Sequence, residues 1–262
     1  MIRRLMKYNQ LILEMTKRDV LARYKGSYLG ILWSFVTPLL ILTIYTFVFS
    51  VIFQSKWNIE DTSHMSFGIT LFAGMIIINI FTEVLIKSTS IIVSNPNYVT
   101  KVVFPLEIFP IVIFMSALIH ACISFGILII AQLLYTSTIH WTVLLIPIIL
   151  IPLALFSIGI GWIFSSLGVF VRDLNYMMNI VAQILMFLSP VFYPIEIVPV
   201  KFQSLYAANP LTGMITEFRE VVLWGNMPNW LEWGKIFIIS FVVFVVGYWI
   251  FRKCKGAFAD VI

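Results

Sequence analysis

The chain has 262 residues, 61% of them hydrophobic and 11% charged, with a formal net charge of +5. Soluble domains carry roughly 25% charged residues, so these charges are too few to cover a water-facing surface, and most of the surface must face lipid. The modest basic excess fits membrane topology rather than nucleic acid, and Cys122 and Cys254, with one in an apolar run and one in a basic tail, offer neither metal spacing nor a disulfide framework.

The first segment is charged and periodic. Leu5, Tyr8, Leu11, Ile12 and Met15 share one helical face, and Lys7, Gln10, Glu14, Lys17 and Arg18 share the other, although Leu13 breaks the pattern. Residues 1–28 are therefore expected to form an amphipathic helix in the cytoplasmic interface, or a plain basic flank of the first span. That segment is too long for a signal-peptide n-region, and the apolar run behind it exceeds the 7–15 residues of an h-region, so the run should stay as a span.

Residues 26–55 contain no charge and make span one, with Pro38 inside it, as lipid-embedded helices tolerate. Span two covers about residues 67–93 and carries Glu83 and Lys87, an i,i+4 pair that either neutralises itself or faces a cavity. The 64 uncharged residues from 108 to 171 hold spans three and four, with the polar stretch YTSTIHWT, residues 135–142, as the turn. Residues 174–195 make span five, and the 16 residues between Lys235 and Arg252 make a short span six anchored by Trp233 and Trp249. Six spans put both termini on one side. With the termini in the cytoplasm, 13 of the 17 Lys and Arg lie inside, and only Lys56, Lys201, Arg219 and Lys235 lie outside.

Two connections depart from ordinary loops. In SNPNYVTKVVFPLEIFP, residues 94–110, Asn95-Pro96 opens a short helix, and Val99, Val102, Val103 and Phe104 are apolar where cytosol is expected. Such a surface suits a protein partner, or else the loop packs on its own spans. Residues 194–230 contain Pro194, Pro199, Pro210 and Pro228, which break them into pieces, yet Ile195, Ile197, Val198, Leu205, Ile215, Phe218, Val221, Val222 and Leu223 make them apolar. Half-helices dipping back into the membrane fit that pattern, provided protein or a wet cavity covers their backbone. In the turn FVRDL, Arg172 and Asp173 are expected to cap and pair.

Catalytic motifs are missing. There is no H-E-x-x-H, G-x-S-x-G, phosphate-binding Gly-Lys-Ser/Thr loop or Asp-rich metal cluster, so no metal site and no ATP hydrolysis are expected of this chain. His120 lies within one turn of Ser116 and Ser124 and reads as a satisfied core histidine.

RYKGSYLGILWSFVTPLL, residues 23–40, the NPNYVTKVVFPLEIFP loop, the FVRDL turn and the SPVFYPIEIVP segment together resemble the permeases of type-2 ABC exporters, closest to the branch exporting O-antigen and other lipid-linked polysaccharides, with the teichoic-acid branch similar. The resemblance implies an all-α integral membrane protein of six transmembrane helices, with an N-terminal interface helix and short re-entrant helices between spans five and six. It implies two permease copies, two cytosolic ATPase subunits that hold the ATP and Mg, no cofactor on this chain, and an inner-membrane location. It makes residues 94–106 the ATPase-coupling loop, carried by Asn95, Pro96, Asn97, Tyr98, Val99, Lys101, Val102 and Phe104, and residues 194–230 an extracytoplasmic gate. The implied substrate is a glycan on undecaprenyl diphosphate. Arg18, Arg23, Tyr24 and Lys25 would then meet the diphosphate at the interface, or serve only topology and anionic lipid in general. Trp33, Tyr45, Phe49, Phe187 and Tyr193 would line a channel and stack on sugar faces, or simply face lipid.

Three other readings stand beside this one. The chain could export teichoic acid or a drug. It could be a membrane-embedded glycosyl or phosphoglycosyl transferase, for which Asp19, Glu107 and Asp173 are the available carboxylates, though they are spread over different loops. A non-catalytic scaffold is the last, and the apolar loop and re-entrant segment speak against it.

Overall fold

The computed structural model describes residues 8–53 and 65–261. Leu5, Lys7, Lys56 and His64 lie outside the described residues. Eleven helices of interest follow in chain order: α1 Asn9–Tyr24, α2 Trp33–Tyr45, α3 Met65–Ile91, α4 Pro96–Thr100, α5 Phe109–Thr136, α6 Ile146–Phe170, α7 Leu174–Phe187, α8 Val200–Ala208, α9 Pro210–Arg219, α10 Trp230–Cys254 and α11 Phe258–Val261. No strand occurs among the described residues.

Among those residues five helical segments are long and apolar enough to cross a bilayer: Gly30–Ile52, Phe67–Ile91, Leu106–Thr136, Trp141–Phe170 and Trp230–Val261. They match expected spans one to four and six. The fifth is α7, apolar but only 14 residues long. At 1.5 Å per residue it reaches about 21 Å, short of the ~30 Å hydrocarbon core. The last span is longer than its bracketing charges suggested. α10 carries Glu232 and Lys235 as a 2.7 Å ion pair, and places Lys253 over the Trp249 ring and Arg252 near the Tyr248 ring. Charges paired or snorkelling at helix ends do not terminate the helix.

α3 is the central post: 78% of its apolar window is buried, against 6% for the segment containing α2. Leu71, Ala73, Ile77, Ile78 and Val84 leave it on several sides, so its neighbours surround it. α6 and α10 pack closely, because Gly159 faces Gly247. A Cβ on Gly247 would collide with the Gly159 carbonyl, and one on Gly159 with the Phe244 backbone. Small residues at such a crossing let backbones approach, which gains dispersion contacts where lipid supplies no hydrophobic drive.

α1 is a helix as expected, but its apolar face is covered by protein. Ile12, Thr16 and Val20, four residues apart, are buried, and Ile12 packs with Ile108 and Val112, flanked by Tyr8, Leu11 and Met15. The side left open carries Leu13 and Leu21. A 3.6-residue period shows that a face exists and not what covers it. The chain then turns into α2 at Gly26 and Gly30, with φ +85° and +54°, a left-handed geometry that favours glycine.

The region after α7 has two unlike halves. In α9 and the π-helical turn Glu220–Trp224, Leu211, Ile215, Phe218, Val221 and Val222 are buried in the core around α3. In the preceding piece, Ile197, Val200, Phe202 and Leu205 are exposed. Thus the buried half meets the condition for irregular backbone in a membrane, cover by protein.

Candidate functional site

Four helices line an open cavity of about 450 Å³. Arg23 and Tyr24 at the end of α1, Trp33, Ser34 and Thr37 of α2, Asn79, Thr82 and Glu83 of α3, and His120 and Ser124 of α5 line it. Of the four expected headgroup residues, the structure brings Arg23 and Tyr24 into this cavity, together with Trp33. Lys25 is exposed and does not line it. Arg18 points elsewhere and donates to the Tyr98 hydroxyl at 3.1 Å. Arg18 and Arg23 are five positions apart, which at 100° per residue puts them about 140° apart on the helix. Asp19 is i,i+4 to Arg23 and so shares its side.

That side faces α3. Arg23 is ion-paired with Glu83, while Lys87 lies 3.0 Å from Glu83 and 3.2 Å from Asp19. The Glu83/Lys87 pair foreseen in the sequence is present, but as half of a four-membered network that reaches the cavity through Arg23 and Glu83. His120 differs from its expected environment. Its Nδ1 lies 3.3 Å from the Tyr24 hydroxyl, its Nε2 is buried without a partner, and Ser124 donates to the His120 backbone carbonyl rather than to its ring. A serine four residues on finds its own helix carbonyl first, since that acceptor is always in reach.

The five expected channel aromatics divide into two groups. Trp33 is at the cavity, whereas Tyr45 and Phe49 lie 12 and 16 residues along the same segment, about 18 and 24 Å away by helical rise. There they meet Phe192, whose ring is 6.1 Å from both. Phe187 stacks on Phe192 at 5.4 Å. Tyr193 donates to the Phe187 carbonyl, and its hydroxyl is 2.5 Å from that of Tyr206.

The loop between α3 and α5 is half packed and half open. Asn95 donates from its side chain to the Ile91 carbonyl at 2.9 Å, and Pro96 opens α4. Tyr98, Val99 and Phe104 fold back onto Ile92, Leu106 and Phe109, with Tyr98 and Phe104 rings 4.5 Å apart. Asn97, Lys101, Val102 and Val103 face outward, and Val103 is fully exposed. The exit from the loop is fixed twice. Trp162 of α6 donates to the Glu107 carbonyl at 2.9 Å, and Lys255 pairs with the Glu107 carboxylate at 3.0 Å.

The family model described as ABC-2 type transporter matches residues 10–223. The chain belongs to the ABC-2 type transporter family. It is 30% identical to an O-antigen export system permease protein, RfbA, of Klebsiella pneumoniae, over 98% of each chain. It is 24% identical to a protein of the same name from Myxococcus xanthus, over 99% of this chain and 98% of the other. The polysialic acid transport protein KpsM of Escherichia coli is 23% identical over 92% of each.

In this ABC-2 chain one polar feature has no counterpart in the sequence pattern. Arg219, counted there as an outer cation, is buried and donates to three carbonyls: Nε to Thr70 at 2.9 Å, Nη1 to Pro190 at 2.5 Å and Nη2 to Val191 at 2.9 Å. Nearby, Thr142 donates to the Val221 carbonyl at 2.6 Å and Gln132 to that of Val222 at 3.1 Å, satisfying backbone freed by the π-turn. Glu217 accepts from the Asn229 N–H at 2.9 Å, and burial raises its carboxyl above the usual range although that bond pulls the other way. The expected Arg172–Asp173 pair does not form, and Asp173 makes no side-chain cap bond. A tight turn aims adjacent side chains apart. Cys122 and Cys254 are free thiols, as expected.

Proposed function

We propose that the chain is the membrane subunit of an ATP-driven exporter that moves an undecaprenyl-diphosphate-linked polysaccharide of O-antigen type out through the cytoplasmic membrane. The observation that carries this is likeness along 98% of both chains to a relative named as an O-antigen export permease. In this reading α7 and the turn behind it complete a sixth span, both termini are cytoplasmic, and α1 lies at the inner interface. Two copies pair with each other and with two cytosolic ATPases that carry the ATP and Mg. The loop around α4 engages the ATPase, and residues 194–230 form the outer gate. Arg23 and Tyr24, with Arg18 and Lys25 nearby in sequence, meet the lipid diphosphate. Trp33 and the outer group of Tyr45, Phe49, Phe187 and Tyr193 offer flat apolar faces to sugar rings.

The geometry weighs against a transferase. Its three available carboxylates serve separate roles: Asp19 pairs with Lys87, Glu107 with Lys255, and Asp173 starts α7. A metal or general-base site needs them together. Among exporters, a teichoic-acid or drug substrate is the second reading.

Purification from native membranes tests the assignment. A cytosolic ATPase should come along in equal amount and be lost when residues 99–104 become Ser and Gly. A chain that purifies alone and consumes an activated sugar would overturn it.

A further inference from the structure

The cavity's basic group is already occupied by the chain itself. Arg23 holds Glu83, and Lys87 bridges Glu83 and Asp19, so two cations and two carboxylates close a neutral network with side chains one-fifth to one-third exposed. On the α5 wall of the same cavity, His120 keeps Nε2 buried and unpartnered. A cavity with a neutral latch on one side and an unused ring nitrogen on the other can accept an anion by exchange, the displaced carboxylate passing to water.

We propose that this cavity is an anion site whose resting occupant is the Glu83 carboxylate, and that it takes the diphosphate of a lipid-linked substrate by exchange for that carboxylate. The proposal rests on the headgroup reading above and adds Glu83, Asp19 and Lys87 to it. Carboxylate and phosphate oxygens compete for the same guanidinium fork. Empty cations at the edge of the hydrocarbon would be costly, and the carboxylates remove that cost while the site waits. The exchange also selects by charge. A phospholipid headgroup with one negative charge can only replace what Glu83 already gives Arg23. A diphosphate carries enough charge to take Arg23 and Lys87 together and release both Glu83 and Asp19 to water.

The test uses the full-length protein in neutral-lipid nanodiscs and reads binding of undecaprenyl diphosphate, phosphatidylglycerol and inorganic pyrophosphate. The wild type should prefer undecaprenyl diphosphate. Glu83→Gln should tighten it about fivefold, the scale of a partly exposed ion pair, and should narrow the preference over phosphatidylglycerol. Asp19→Asn should act in the same direction more weakly, and it carries the test if Glu83→Gln fails to insert. Arg23→Gln should weaken binding. If removing either carboxylate leaves binding unchanged or weaker while Arg23→Gln still weakens it, the exchange is wrong and the headgroup reading stands. If Arg23→Gln has no effect, both fall. Pyrophosphate binding as tightly as the lipid would show a site for free phosphate and overturn the lipid assignment.

Discussion

Arg219 donates from Nε to the carbonyl oxygen of Thr70 at 2.9 Å, joining two residues 149 positions apart in the chain. With its bonds to Pro190 and Val191 this ties α9 to α3 and to the turn after α7 in a single side chain. Arg219→Lys keeps a charge but replaces the planar fork by a compact ammonium whose three N–H donors radiate from one nitrogen and do not span the same carbonyls. At least one buried carbonyl then loses its partner, at about 1–3 kcal/mol. The thermal midpoint in nanodiscs should fall by several degrees. An unchanged midpoint would mean that the carbonyls find other donors.

The Gly159–Gly247 crossing makes a second, purely steric claim. Gly247→Ala puts a methyl against the Gly159 carbonyl, so α6 and α10 must separate. Overpacking of this kind costs about 1–3 kcal/mol. Gly234→Ala, on the same helix with open space around it, should be neutral or stabilising. Equal melting of the two variants would contradict the close approach.

What the sequence revealed was set by solvent. Uncharged runs between 108 and 171 located α5 and α6, and the polar stretch after Tyr135 located their turn, because lipid excludes charge so strongly. The Asn95-Pro96 start of α4 was legible because proline suits a first helical turn. Arg219 was not legible. Its burial depends on three carbonyls from distant segments, and charge alone places an arginine in water. The same holds for Arg23, whose pairing with Glu83 joins residues 60 apart. The covering of α1 by α5 was missed because periodicity cannot tell a protein neighbour from lipid.

Glu217 gives a pH dependence with a defined sign. Burial holds its folded-state pKa above the unfolded value. Its stabilising contribution is therefore complete below the unfolded pKa of about 4.3 and declines as pH rises through the folded value. Glu217→Gln keeps an oxygen to accept from Asn229 and never ionises. The variant should lose that part of the pH slope and be at least as stable as wild type at pH 8. A lower midpoint at pH 8 would show that the ionised carboxylate is favoured after all.

The proposed docking role of the loop around α4 can be tested apart from its packing. Phe258→Ala empties a fully buried ring site beside Phe251, in the cluster against which Tyr98 and Val99 pack. It should cost about 3–5 kcal/mol and increase thiol labelling of a cysteine placed at position 99. Val103→Asp changes only an exposed position. It should leave melting unchanged and reduce recovery of the partner ATPase at least tenfold. Retained recovery would remove Val103 from the docking surface.

The most direct measurement is transport in sealed vesicles containing the permease and its co-purifying ATPase, loaded with undecaprenyl-diphosphate-linked glycan on the ATPase side. Appearance of glycan on the opposite face is read by an added glycosidase. It should require ATP and fall with Arg23→Gln. Transfer that proceeds without ATP, or a chain that elongates or cleaves the glycan by itself, would contradict an exporter subunit.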